Sequence, residues 1–304
     1  VNSWKLSSDE NTESSLNLKF NTNFIIKSDS ISLVSFNPKE KKVTQIRIPS
    51  ETYLQAGQFG RWQIRSLYSL GESTQRGFGH VLLKESISTL FGVPIEGFIG
   101  WNDETSKKDP DQILSDMRQK IFGCLGLLPH IETNFTPWEL NRLCWEISGV
   151  RFDKVASIDL SDFNLLSQAK LPDGTGIFTI DPVKVDTVID QFIDPTIRGE
   201  NTSIAIFNAT TYPSLAQHAR RLITNLGGNV IFIGNFNKEL EASLVVGDNS
   251  QTYQYLKQIF TLCEKDQECG KIEPGDLAAL GSRAEINIFL GRDYFQKIQT
   301  QPKD

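Results

Sequence analysis

Two carboxylates early in the sequence, Asp29 and Glu51, are placed where they could share a divalent cation. Asp29 opens the first strand of a predicted β-hairpin. Ile31 to Phe36 alternates apolar and polar residues, Asn37, Pro38 and the charged turn EKKV follow, and the pattern resumes at Val43 as VTQIRIP. Glu51 comes after the second strand, behind Pro49. Neighbouring strand ends can bring both carboxylates to one hard cation such as Mg2+, which takes oxygen ligands. Around them in sequence lie Lys27, Arg47, Arg61 and Arg65, cations suited to phosphate oxygens. On composition alone, solvated charges at strand ends are the simpler reading.

Other chemistries lack their residues. There is no GxSxG, no GxxxxGK[ST], no HExxH and no GxGxxG after a strand. The histidines, His80, His130 and His218, have no spacing that makes a metal pair on a helix face. No cysteine pair forms CxxC, which disfavours zinc. The cysteines fall into two local pairs, Cys124 with Cys144 and Cys263 with Cys269. The second encloses EKDQE and suits a short disulfide in an oxidising compartment, the alternative being four separate buried thiols. Trp4, Trp62, Trp101, Trp138 and Trp145 could line a sugar or prenyl site, although packing is the commoner use of tryptophan.

The elements that must position these residues can be read from pattern. The 304 residues suffice for two domains, and 39% apolar against 22% charged residues is the balance of a chain with a core. With 31 Lys and Arg against 37 Asp and Glu, the net charge of −6 offers no basic field, which excludes nucleic acid as a partner. The longest uncharged stretch, Asn201 to Ala219, is too polar for a spanning helix. The start at Val1, with the polar run SSDENTESS behind it, predicts an upstream segment that has been removed.

Helices are expected at Gly79 to Phe91, Asp109 to about Leu127, from Thr136 through Ile147, and Asp181 to Phe192; strands are expected at Gly97 to Trp101 and Val155 to Leu160. DPTIRGENTS, Asp194 to Ser203, has the composition of a linker. It divides an α/β domain at 1–195 from a smaller α/β domain at 196–304. The second domain reads as a βαβ unit: strand Ile204 to Phe207, helix Pro213 to Leu226, a Gly227–Gly228 stop, and strand Asn229 to Ile233. A strand at Leu244 to Val246, a helix from Ser250 to Cys263 and a strand at Ile286 to Leu290 follow.

Several of these segments, in this order, resemble the LytR-CpsA-Psr family. KSDSISLVSFNP (Lys27 to Pro38) and VTQIRIPSETYL (Val43 to Leu54) are similar to its R-S-D-T strand and to the strand ending S-I-P-R-D-T. QIRSLYSLGE (Gln63 to Glu72) sits where the family has K-I-N-x-A-Y-x-x-G-G, and LFGVPIEGFIGWND (Leu90 to Asp103) resembles L-G-I-P-I-D-Y-Y-V-x-V-D-F. TNFTPWELNRLCWEI (Thr133 to Ile147) resembles T-N-L-T-x-x-E-L. Ile204 to Asn235 and Glu285 to Tyr294 are similar to the family's associated LytR C-terminal domain.

This resemblance implies an α-β-α sandwich displayed outside the cytoplasmic membrane on an N-terminal anchor absent from this chain. It also implies an apolar pocket for a polyprenyl-pyrophosphate lipid, with Mg2+ and arginines stabilising phosphoryl transfer to a cell-wall glycan. By the same resemblance Asp29, Glu51, Lys27 and Arg65 are the catalytic candidates, Asp29 and Glu51 also serving the metal, and Arg61, Gln63 and Arg118 are ligand-binding. The departures are specific. Lys27 and Ser50 stand for motif arginines, Glu51 for an Asp, Gln63 for a Lys and Arg65 for an Asn. Between Asp103 and Thr133 most of the family's arginine-bearing segment is missing, Arg118 and Gln119 being its only echo. Losing one such donor costs about 10²–10³ in rate. The expected protein is therefore a degenerate, weakly active or inactive relative that binds polyprenyl-phosphate lipid, glycan or a protein partner. The alternative is an active Mg2+-dependent phosphotransferase that attaches lipid-linked glycopolymers to peptidoglycan.

Overall fold

The computed structural model describes residues 16–102, 108–119, 123–163, 165–170, 174, 176–180, 182–261 and 282–300. They form two compact units, one of residues up to Phe91 and from Ile95 to Gln191, the other of Gly92–Pro94 and the residues from Phe192. Both are α/β, with three mixed sheets in all.

The first unit begins with β1 (Thr22–Lys27), β2 (Ile31–Asn37), β3 (Lys42–Ile48), β4 (Thr52–Gln55), β5 (Arg61–Gln63), α1 (Ile64–Thr74), α2 (Gly79–Phe91) and β6 (Gly97–Trp101). It continues with α3 (Pro110–Gln119), α4 (Gly123–Leu127), β7 (Ile131–Thr133), α5 (Pro137–Ser148), β8 (Val155–Asp159), β9 (Leu166–Lys170), β10 (Gly176–Ile180) and α6 (Pro182–Val185). A six-stranded sheet runs in the order β7-β6-β1-β2-β3-β8. The expected hairpin is its centre, β2 pairing antiparallel with β3 from Ile31↔Ile48 to Asn37↔Lys42. Because β2 is also antiparallel to β1, the C-terminal ends of β1 and β3 lie at one end of the sheet, with those of β6 and β8.

Strand alternation splits the core into two layers. Phe24, Ile26, Val34, Phe36 and Ile99 pack with Ile113, Met117, Leu140, Leu143 and Ile147 of α3 and α5. Ile25, Leu33, Ile46 and Phe98 line up on the opposite face. There Phe98 meets Tyr68 of α1 and His80 of α2. The result is an α-β-α sandwich whose central strands are buried on both sides. A smaller sheet, β5-β4-β10-β9, joins segments far apart in sequence.

Local signals explain α5. Thr136 Oγ1 accepts from Glu139 N at 3.2 Å, Glu139 Oε2 accepts from Thr136 N at 2.9 Å, and Pro137 takes the first turn, a complete capping box. The other oxygen of Glu139 accepts from Leu16 N at 3.0 Å, tying the start of the described chain to this helix. Cys144 of α5 is disulfide-bonded to Cys124 of α4 across a Cα–Cα distance of 6.3 Å. These two are therefore not separate thiols; Cys263 and Cys269 lie outside the described residues, as do Trp4, Ser7 to Ser15 and Asp103.

The second unit holds α7 (Pro195–Glu200), β11 (Ser203–Asn208), α8 (Leu215–Asn225), β12 (Asn229–Asn235), β13 (Leu244–Gly247), α9 (Gln251–Phe260), β14 (Ile286–Leu290) and α10 (Arg292–Gln299). Its sheet runs β12-β11-β14-β13, with β11 parallel to both β12 and β14, so the expected βαβ unit is present. Gly227 stops α8 at φ +93°, a conformation that costs any residue with a Cβ. Phe207 stacks on Phe289 at 5.1 Å in the core.

Three expected elements differ. The helix from Asp109 to Leu127 is two helices, α3 and α4, and Gly123 and Gly126 lower helix propensity in the second. Asp181 to Phe192 gives only the short α6 and a 3-10 stretch from Asp186 to Phe192. The linker-like DPTIRGENTS contains α7. Asp194 Oδ1 caps Thr196 N at 2.8 Å and Ile197 N at 3.2 Å, and Asn201 closes the helix at φ +49°. Residues that suggested a loop are the two caps. Among the described residues no helix is long and apolar enough to cross a membrane.

Candidate functional site

The strand ends on the α1 side of the large sheet carry the candidate site. Lys27 is the last residue of β1 and pairs with Gly100 of β6, which pairs in turn with Glu132 of β7. Directly paired residues point to one face. Lys27 and Glu132 therefore flank a position that has no side chain. A Cβ on Gly100 would lie 2.8 Å from Phe98 Cζ, so the gap is held open by the ring beneath it. Tyr68 of α1 closes the group from above. Its ring stacks on Phe98 with centroids 5.6 Å apart, Lys27 Nζ lies 4.5 Å from its centroid, and its hydroxyl donates to Glu132 Oε2 at 2.5 Å.

The electrostatics follow from this packing. Burial pushes the Lys27 ammonium below its ordinary pKa, while the carboxylates of Glu132 and then Asp29 hold it charged. Burial also raises the Tyr68 phenol, with the hydrogen bond to Glu132 and the charges of Glu132 and Glu72 adding to it. The half-buried lysine is thus a cation poorly served by water, and an incoming anion can take the place that water has left.

Asp29 sits in the turn after β1, and Glu51 lies in the turn after β3. Both extend just past the Ile31↔Ile48 pair that ends the hairpin, so both occupy the Lys27 end of the sheet. Arg65 joins them through its backbone, its N–H reaching Ser50 O at 3.4 Å, while its exposed side chain donates from Nε to Gln63 Oε1 at 2.8 Å. Gln63 is buried and pairs with Tyr53, and Arg61 is exposed opposite Gln55 on the small sheet. Lys27, Asp29, Glu51 and Arg65 therefore gather at one end.

Two other cations do not join them. Arg47 belongs to the same end of β3, but it alternates to the opposite face, where its guanidinium pairs with Asp111 of α3. Arg118, at the C-terminal end of α3, donates from Nη2 to Val150 O at 3.2 Å and lies over Phe152 at 5.9 Å. Those residues precede β8, whose first residue pairs with Val43 at the far end of β3, so Arg118 is a strand length away from Lys27. The helix that carries the RQ echo runs the wrong way to deliver it.

Tyr68 and Glu132 were not among the candidates. Tyr68 lies in QIRSLYSLGE, where the resemblance itself contains a tyrosine, whereas Glu132 has no sequence signal: only the register of three strands brings it to Lys27. As a metal site the cluster is lean. No group of three or more His, Cys, Asp or Glu that could hold an ion occurs among the described residues. Asp29 and Glu51 suit Mg2+ only in the manner of sites where one or two carboxylates are completed by water and substrate phosphate oxygens.

No family model matches the chain, and no curated protein matches it. Solved structures similar to it include TagT bound to LI-WTA, at 14% identity and TM-score 0.44, over 62% of this chain and 97% of that one. B. subtilis TagV is 18% identical with TM-score 0.43, over 56% of this chain and 93% of that one. The LytR-CPS2A-psr family protein YwtF (TagT) with bound octaprenyl pyrophosphate lipid is 14% identical with TM-score 0.42, over 62% and 97%.

Proposed function

We propose that the first unit is an extracytoplasmic domain of the LytR-CpsA-Psr type that binds the phosphate end of a polyprenyl-linked lipid at the Lys27 end of its sheet, with weak transfer activity or none. The observation that carries this reading is the gathering of Lys27, Arg65, Asp29 and Glu51 there. The sequence resemblance supports it, and the Cys124–Cys144 disulfide suits an oxidising compartment. Lys27 and Arg65 supply charge to phosphate oxygens. Arg47 and Arg118 are committed elsewhere, which leaves too few donors for the clamp that phosphoryl transfer requires. The second unit reads as the associated LytR C-terminal domain.

An active Mg2+-dependent phosphotransferase is the second reading, and the placement of Asp29 and Glu51 at the same sheet end as Lys27 and Arg65 favours it. When bound, Mg2+ would neutralise charge on the transferring phosphoryl group; Lys27 and Arg65 would orient the diphosphate, and Tyr68 would hold Glu132 away from it. Calorimetric titration of the full chain with farnesyl pyrophosphate, with and without Mg2+, tests both. Binding that weakens tenfold or more in Lys27→Ala supports the first reading. Turnover of a lipid-linked saccharide that disappears in Asp29→Asn supports the second. Absence of binding, or binding indifferent to Lys27, overturns both.

A further inference from the structure

Lys27 stands beside a carboxylate with which it does not pair. Its Nζ makes no hydrogen bond or ion pair among the described residues, although the side chain is half-buried and Glu132 faces it across Gly100. An ammonium short of water gains most from a direct bond to a carboxylate. Nor does distance forbid one. β1 and β7 are two strand spacings apart, about 10 Å, and the two side chains together are long enough to meet over the position that Gly100 leaves without one. Tyr68 stands between them. Its hydroxyl donates to Glu132 Oε2, while its ring lies 4.5 Å from Lys27 Nζ.

We propose that Tyr68 is a positioning residue whose hydroxyl holds the Glu132 carboxylate off Lys27, keeping the ammonium open to phosphate, and that Glu132 is the anion that takes Lys27 when this hold is lost. The inference rests on the reading of Lys27 as the phosphate-binding cation. Three observations carry it. Stacking on Phe98 fixes the Tyr68 ring independently, so the hydroxyl is not needed to place the ring. Burial lowers the Lys27 pKa, and of the two carboxylates that oppose this fall Glu132 acts more strongly than Asp29. The other acid on α1, Glu72, is committed to Gly77 N at 3.1 Å and Gly79 N at 2.9 Å, and the Tyr68 hydroxyl bonds to Glu132 instead.

The sign of each change follows from charge. A phosphate seated on Lys27 has Glu132 on the far side of Gly100, so the carboxylate repels what the ammonium attracts. Neutralising Glu132 therefore favours the ligand. Releasing Glu132 from Tyr68 disfavours it, because the ligand must first displace the carboxylate from Lys27.

The test titrates the full chain with farnesyl pyrophosphate by calorimetry, at pH 6.0 and without Mg2+, in the unaltered protein, Tyr68→Phe, Glu132→Gln and the double variant. Tyr68→Phe keeps the ring and loses only the hydroxyl; it should weaken binding about tenfold. Glu132→Gln should tighten binding about threefold. The double variant should match Glu132→Gln to within about twofold, since no carboxylate remains to be held. Weakening by Tyr68→Phe in both backgrounds would make the hydroxyl merely structural and overturn the proposal, as would rescue by Asp29→Asn in place of Glu132→Gln. A second readout needs no ligand: trace acetylation of Lys27, followed by peptide mass spectrometry, reports its free amine. Labelling should slow in Tyr68→Phe, where the carboxylate meets the ammonium, and quicken in Glu132→Gln and in the double variant. If farnesyl pyrophosphate fails to bind the unaltered protein, the phosphate-binding reading falls by itself, and the order of labelling rates still decides what Tyr68 does. Equal rates in all four proteins overturn the proposal.

Discussion

Breaking the Cys124–Cys144 bond is expected to destabilise the first unit selectively. The bond closes a segment with a sequence separation of 20. For a loop of that size the chain-entropy relation gives about 3 kcal/mol of stabilisation, acting on the unfolded chain. In a unit of 150–250 residues each kcal/mol moves the midpoint by about 2–4 °C, so the melting temperature should fall by about 6–12 °C. Tryptophan fluorescence isolates this transition, because all five tryptophans precede residue 146 and the second unit has none. Melts of the oxidised protein, the protein in reductant and the Cys124→Ala/Cys144→Ala variant should rank in that order. The variant should fall slightly further, since both sulfurs sit in the buried core of α3, α4 and α5. Peptide mapping must show Cys124 joined to Cys144 in the starting material. Free thiols at both positions after folding in air would refute the reasoning, and so would a verified bond whose loss moves the midpoint by less than about 2 °C.

Other expectations follow from the same geometry. Gly100→Ala drives a Cβ to within 2.8–2.9 Å of the Phe98 ring that supports Tyr68. Overpacking of this kind costs about 1–3 kcal/mol, and the tryptophan-monitored midpoint should fall while farnesyl pyrophosphate binding weakens. Thr136→Ala removes the cap of α5 and should cost about 1 kcal/mol in denaturant titration, with the slope of the transition unchanged. His218, hydrogen-bonded to Tyr294 Oη at 3.0 Å, has its pKa lowered to about 4, first by burial and then by Arg221 and Lys297. Below its unfolded value near 6.5 the unfolded chain binds the extra proton, so the second unit should lose up to about 3 kcal/mol as pH falls from 6.5 to 4. Hydrogen exchange of peptides from Leu215–Asn225 across that range measures it, and His218→Gln should flatten the profile.

The sequence was most legible where a segment carried its own boundary signals. The β2–β3 hairpin has alternation and a turn, α5 has Thr136, Pro137 and Glu139, and the βαβ of the second unit has a glycine stop. β1 offered none of this: its apolar run is only Phe24, Ile25 and Ile26, buried on both faces and too short for periodicity to separate strand from helix. β4, β5, β9 and β10 are three to five residues long and partly exposed, so their pairing is decided by distant partners. The site divides in the same way. Asp29 and Glu51 were placed at one end by hairpin register alone. Arg118 was set apart by the direction of α3, and Glu132 was brought in by the register of β1, β6 and β7, neither of which is a local property.

The small sheet also sets an order of events during folding. β4 pairs with β10 through Thr52↔Phe178 and Tyr53↔Thr179, more than a hundred residues downstream, and Phe178 N donates to Glu51 O at 3.2 Å. A closure over that separation carries a loop cost that the β2–β3 hairpin avoids. The hairpin can form while the chain is still being made, but the peptide bearing Glu51 acquires its last backbone partner only when β10 has emerged. Nascent chains ending before Gly176 would therefore hold Lys27 on a paired strand while the opposite wall of the cluster is still unfixed, which makes the candidate site one of the last parts of the first unit to mature.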